Sequence, residues 1–150
     1  MYIGTCVNQP IRKMTTRDVI VVDDDVEDFL IMKDSFAENH YDGKIISCKS
    51  GDELFMTLSD SDQLPGLIVL DISLPIKDGF EILYDIKLDA RLRKIPLIIL
   101  SMHSNQVNKD KAYDLGANCY ITKPMDYTEM IDITNCIINL WLGKPKKLAL

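Results

Sequence analysis

Short, unbroken apolar runs recur along the chain at Val19 to Val22, Leu67 to Leu70 and Leu97 to Leu100. Each is built from Val, Ile and Leu with no polar alternation, the pattern of strands covered on both faces. Ile45 to Cys48 and Cys119 to Thr122 are weaker segments of the same kind. Stretches of helical length lie between them. Val26 to Asn39 places Val26, Phe29, Leu30, Phe36 and Ala37 at spacings that share one helical face. Asp25 and Asp28 are positioned to form a local cap at its start. Ser50 with Glu53, and Asp126 with Glu129, have capping-box spacing at two further helix starts, and Gly116 is placed to end another after Leu115.

The order strand, helix, strand, helix predicts an α/β domain with a doubly wound five-stranded parallel sheet and helices on both faces. Parallel neighbours require crossover connections, and these are right-handed. At 150 residues and 47% hydrophobic composition the chain can bury one core of its own but is too short to divide comfortably into two. The expected division is a flexible leader over residues 1–17, the domain over residues 18–142 and a short tail over residues 143–150. Met14 is a candidate internal start within that leader. No repeat, low-complexity stretch or Pro/Gly/Ser-rich linker leads to another folded unit.

Charge narrows the function. A net charge of -6 and a pI near 4.8 argue against a surface that binds nucleic acid through its phosphates. No apolar run approaches the roughly 18 residues of a membrane span, and residues 1–17 lack the apolar core of a secretory signal, so the expectation is a cytoplasmic protein. Cys6, Cys48, Cys119 and Cys136 show no C-x-x-C spacing, and the last three fall in predicted strands or helices, where a free thiol acts as a small hydrophobe.

The chemistry gathers at the carboxyl ends of the strands, where open α/β sheets bind ligands. Asp23, Asp24 and Asp25 follow the first strand, Asp71 follows the third, Ser101 the fourth and Lys123 the fifth. Carboxylates within about 4 Å of one another repel by roughly 4 kcal/mol per pair at an effective dielectric near 20, so such a cluster needs a counterion or raised pKa values. A hard divalent cation fits. Magnesium takes oxygen ligands and commonly binds carboxylates together with phosphate oxygens, which points to phosphoryl chemistry. Taken singly, Asp25 is an ordinary helix cap, Asp71 a turn residue, Lys123 a solvated lysine and Tyr120 a packing aromatic; their combination argues otherwise.

These residues stand in V-V-D-D-D at Val21 to Asp25, D-I-S-L-P-I-K-D-G at Asp71 to Gly79, I-I-L-S ending at Ser101, and Y-I-T-K-P at Tyr120 to Pro124. In this order the chain resembles the receiver domains of two-component response regulators, over residues 17–142. The resemblance implies the flavodoxin-like receiver fold, with Asp71 as phosphoacceptor for a histidine kinase, a histidine phosphotransfer protein or a small donor such as acetyl phosphate. It implies Mg2+ held by Asp23, Asp24, Asp71 and the backbone carbonyl of Ser73, with Lys123 and Ser101 binding the phosphoryl oxygens. Ser101 and Tyr120 would form the switch, Tyr120 rotating into space that Ser101 vacates, and the Lys123–Pro124 peptide would be cis. A downstream protein target would read the face of residues 105–113, 119–122 and 126–142.

One departure is Met102, where small residues are usual; its bulk predicts slow phosphorylation by small donors. D-A-R-L-R-K-I-P at Asp89 to Pro96, L-G-A-N-C-Y at Leu115 to Tyr120 and the closing Trp141 and Leu142 resemble phytochrome-associated single-domain receivers, for which homodimerisation through the last helix and strand face is an expectation. Two rival readings are a haloacid-dehalogenase-like phosphatase, with Asp23 as nucleophile and Asp25 as acid-base, and a receiver-like module that binds partners without phosphate. Val26, Glu27 and Asp28 depart from the phosphatase pattern, and the complete set of Asp23, Asp24, Asp71, Ser101 and Lys123 weighs against the second.

Overall fold

The computed structural model describes residues 14–143. Strand β1 (Val19–Val22) leads to helix α1 (Val26–Glu38), followed by β2 (Ile45–Cys48), α2 (Gly51–Ser59), β3 (Leu67–Leu70), α3 (Gly79–Leu88), β4 (Leu97–Ser101), α4 (Gln106–Asp114), β5 (Cys119–Thr122) and α5 (Tyr127–Ile137). All strands are parallel, in the order β2-β1-β3-β4-β5. The doubly wound architecture expected from the alternation is observed.

Every residue of β1, β3 and β4 is buried, which is why these strands read as continuous apolar runs. Their two-residue period sorts the side chains into two layers. Val19, Val21, Leu67, Val69, Ile98 and Leu100 pack against Met32 and Phe36 of α1 and Met130 and Ile137 of α5. Ile20, Val22, Ile68, Leu70, Leu97 and Ile99 pack against Leu54 and Leu58 of α2, Ile82, Leu83 and Ile86 of α3, and Ala112 of α4. Burial of such a side chain contributes about 1.5–3 kcal/mol, so both layers are needed to hold the sheet.

Helix α1 turns Phe36 and Phe29 to the core as its sequence suggests, but the rest of the buried stripe differs. Met32, Ser35 and Phe36 face inward, while Val26 and Leu30 are about half exposed. The reason is its partner. The buried Ser35 hydroxyl lies 2.7 Å from that of Thr134 on α5, and each hydroxyl also reaches a backbone carbonyl of its own helix. A polar residue thus occupies the α1–α5 seam with its hydrogen bonds satisfied.

Caps set the ends of these elements. Ser50 accepts from the Glu53 amide at 3.2 Å, and the Glu53 carboxylate reaches back to the Lys49 amide, one residue before the box position. Asp126 accepts from the Thr128 amide at 3.0 Å. Gly116 follows α4 with φ 102°, a left-handed conformation in which its amide and that of Ala117 close onto Tyr113 and Ala112.

The leader expected over residues 1–17 lies mostly outside the described residues, but its last part is packed. Met14 is buried in the core. The Arg17 guanidinium stacks over Tyr41, pairs with Asp42, and donates to the carbonyls of Leu142 at 2.6 Å and Gly143 at 3.0 Å. Cys48 is buried as expected, whereas Cys136 is exposed on the outer side of α5. Cys6 lies outside the described residues. No helix among the described residues is long and apolar enough to cross a membrane.

Candidate functional site

The chain leaves β1 toward β2 on one side and returns to β3 on the other, so the carboxyl ends of β1 and β3 flank the point where strand order reverses. Asp23 and Asp71 sit there, each buried and each bound through its amide to the neighbouring strand: Asp23 to the Cys48 carbonyl and Asp71 to the Val22 carbonyl, both at 3.0 Å. Ser101, fully buried, ends β4, and its carbonyl accepts from the Lys123 amide at 2.7 Å. The sheet itself therefore converges these groups.

The two buried carboxylates are held alike. One oxygen of Asp23 accepts from the Asp25 amide and one oxygen of Asp71 from the Ser73 amide, each at 2.9 Å. The other oxygen of each faces the Lys123 ammonium, at 3.0 Å from Asp23 and 3.2 Å from Asp71. A third carboxylate, that of Asp28, is closer still at 2.7 Å. Burial disfavours the Lys123 charge, but the hydrogen bonds it donates to Asp28 and Asp23, together with the Asp71 charge, outweigh it and hold its pKa above the usual lysine range. Burial pushes the Asp23 carboxyl up, against the lowering pull of the Asp25 amide and Lys123.

Carboxylate oxygens of Asp23, Asp24 and Asp71 lie within 4.8 Å of one another, with Asp24 exposed between two buried partners. Three hard oxygen donors, one open to solvent, suit a divalent cation that keeps part of its water shell. A cavity of about 70 Å³ beside Asp23, Asp71, Lys123 and Met102 is too small for an organic cofactor. Ser73 is exposed in the loop after Asp71.

The Ser101 hydroxyl accepts from the His103 amide at 3.1 Å, and the Tyr120 hydroxyl donates to the His103 carbonyl at 2.5 Å. Tyr120 is buried, and its hydroxyl ties the ring to the loop after β4. The Lys123–Pro124 peptide is not cis, since no described peptide bond is. This corrects the expectation of a cis bond at Pro124. Trans is the favoured form of an X–Pro bond by about 0.5–1 kcal/mol, and the β5 register and the Lys123 ion pairs carry the ammonium to Asp71 without the turn.

Asp25 serves the helix. Its carboxylate accepts from the Glu27 amide at 2.9 Å and the Asp28 amide at 3.3 Å, so it caps α1 rather than pairing with Asp23 for acid-base work. Asp28 is the site residue that the sequence hid. Only its redundancy as a second acid in a turn already capped by Asp25 could have marked it.

Residues 19–135 match the response regulator receiver domain. The chain belongs to this family. It is a signalling phosphoacceptor of two-component systems, and nothing supports the phosphatase or phosphate-independent readings. It is similar to response regulator Rcp1 of Synechocystis sp., 28% identical over 129 residues that cover 83% of this chain and 88% of that protein. The crystal structure of the phosphorylated cyanobacterial phytochrome response regulator RcpA aligns with a TM-score of 0.78 at 29% identity, covering 90% of this chain and 100% of that one. The Mn(2+)-bound form of Rcp1 aligns at 0.74 and 27%, covering 89% and 97%. Binding of a divalent cation by the acidic cluster is consistent with that relative.

Proposed function

We propose that Asp71 accepts the phosphoryl group, from a sensor histidine kinase, a histidine phosphotransfer protein or acetyl phosphate. One observation carries the reading: Asp71 follows the central strand β3, between Asp23 after β1 and Ser101 at the end of β4, with one oxygen fixed by a backbone amide and the other 3.2 Å from the buried Lys123 ammonium. The fixed oxygen orients the carboxylate, and the free one attacks phosphorus in line as the bond to the donor breaks. Lys123 lowers the repulsion between anionic nucleophile and anionic phosphoryl group and stays beside the new oxygens. Asp23, Asp24, Asp71 and the Ser73 carbonyl would hold Mg2+, which when bound adds charge neutralisation at the phosphoryl oxygens.

Ser101 then exchanges its bond to the His103 amide for one to a phosphoryl oxygen. Because Tyr120 is tied to the same His103, that exchange moves the loop after β4 and the ring together. The phosphate shifts this equilibrium only by its difference in interaction with the two arrangements. The altered face of α4, β5 and α5 is read by a downstream protein. The likeness to the phytochrome response regulator RcpA supports a phytochrome-type kinase as donor, and a homodimer through the last helix and strand face belongs to the same reading. Slow self-catalysed hydrolysis resets the state in the cytoplasm.

The test is intact mass after incubation with acetyl phosphate and magnesium. The parent gains one phosphoryl mass and Asp71→Asn gains none. Label that persists in Asp71→Asn and vanishes in Asp23→Asn overturns the assignment.

A further inference from the structure

The three N–H donors of Lys123 meet three different carboxylates, and the shortest bond goes to Asp28. Asp23 and Asp71 belong to the oxygen cluster suited to a cation; Asp28 does not. Asp28 stands in the first turn of α1, where an acid ordinarily serves the helix terminus. That work is done by Asp25, and the Asp25 amide, to which Asp28 could reach back in a capping box, is already bonded to Asp23. The Asp28 carboxylate instead crosses to the loop between β5 and α5, with 36% of its side chain exposed against 7% for Lys123.

We propose that Asp28 is a positioning residue that keeps the Lys123 ammonium beside Asp71 when the Asp23 and Asp71 carboxylates take up a divalent cation. The inference rests on the phosphoacceptor reading above. A cation at the acidic cluster repels the ammonium and competes for the carboxylates of Asp23 and Asp71, whose oxygens two of its three bonds use. A buried ammonium without a counter-charge is costly, so it would either leave or contest those oxygens. Asp28 resolves the conflict by offering a carboxylate on the α1 side, outside the cation's set. It draws Lys123 off the cluster without releasing it from the site.

The test uses the full chain and five forms: the parent, Asp28→Asn, Glu27→Gln as a charge control on the same exposed turn, and each acid variant again in Lys123→Met. Mn2+ affinity is measured by calorimetry, and labelling by acetyl phosphate is timed by intact mass. Asp28→Asn is expected to weaken Mn2+ binding about fivefold and slow labelling about tenfold, a coupling usual for residues in one ion-pair network. Glu27→Gln is expected to change either by less than about twofold, the effect of a surface charge. In Lys123→Met the two acid variants should bind Mn2+ alike, because the residue through which Asp28 acts is gone. Equal behaviour of Asp28→Asn and Glu27→Gln in the parent background overturns the proposal. So does an Asp28→Asn loss that persists undiminished in Lys123→Met. If the parent takes no phosphoryl group, the phosphoacceptor reading fails while the Mn2+ comparison still judges Asp28.

Discussion

Gly79, the first residue of α3, gives the sharpest prediction because two physical effects on Gly79→Ala have opposite signs. Alanine at a helix start favours folding: it restricts the unfolded chain and contributes up to about 1 kcal/mol when the native backbone tolerates it. The surroundings of Gly79 do not. A Cβ there would stand 2.5 Å from the Ile72 Cα and 2.7 Å from the Asp71 carbonyl oxygen. Ordinary carbon contacts lie near 3.5–4.0 Å, so relief requires a movement of about 1 Å. Both obstacles are backbone atoms, and no rotamer change removes them. Overpacking of this kind costs about 1–3 kcal/mol, which exceeds the propensity gain, so the variant is destabilised by about 1–2 kcal/mol. The Gly79 amide also closes the loop onto the Ile72 carbonyl at 3.1 Å, so the shift is transmitted to Asp71. Displacing a reacting group by about 1 Å can slow a reaction on the order of a hundredfold. Urea unfolding followed by circular dichroism measures the first effect, and acetyl phosphate labelling by intact mass the second. Gly51→Ala is the matched control at the start of α2, where the added Cβ meets only the Ile82 side chain at 3.0 Å and that of Lys77 at 3.7 Å. Gly79→Ala as stable as the parent, with parental labelling, would refute the reasoning.

Met102 is 61% exposed and borders the cavity beside Asp71, so Met102→Ala should speed labelling by acetyl phosphate while moving stability by less than about 0.5 kcal/mol; a rate no faster than the parent's counts against obstruction by this side chain. Asp23 has its carboxyl raised by burial, so in the metal-free protein its ionisation opposes folding. Between the unfolded value near 3.8 and the higher folded one, the native state binds more protons, and stability falls as pH rises through that window. Asp23→Asn, measured in chelator by urea unfolding, should therefore be more stable than the parent at pH 7, with the gap closing below about pH 3.8; a gap independent of pH would contradict this origin.

The element types and the residues at the strand ends are legible in the sequence. Continuous apolar runs specify strands buried on both faces, and the acid, hydroxyl and ammonium that follow them fall at one edge of any parallel sheet. The order Val21 to Asp25, Asp71 to Gly79, Ser101 and Tyr120 to Pro124 was enough to indicate the family. Tertiary structure decided which faces and which partners. The inward stripe of α1 runs through Ser35 rather than Val26 and Leu30 because α5 supplies Thr134, a partner 99 residues away. Asp28 and Lys123 are 95 residues apart and share no local pattern. They meet because α1 and α5 cover the same side of the sheet, and an ion pair between crossing elements has no sequence period to reveal it. The peptide before Pro124 keeps the trans form ordinary for such a bond, and the placing of Lys123 shows instead in its long-range pairs with Asp23 and Asp28.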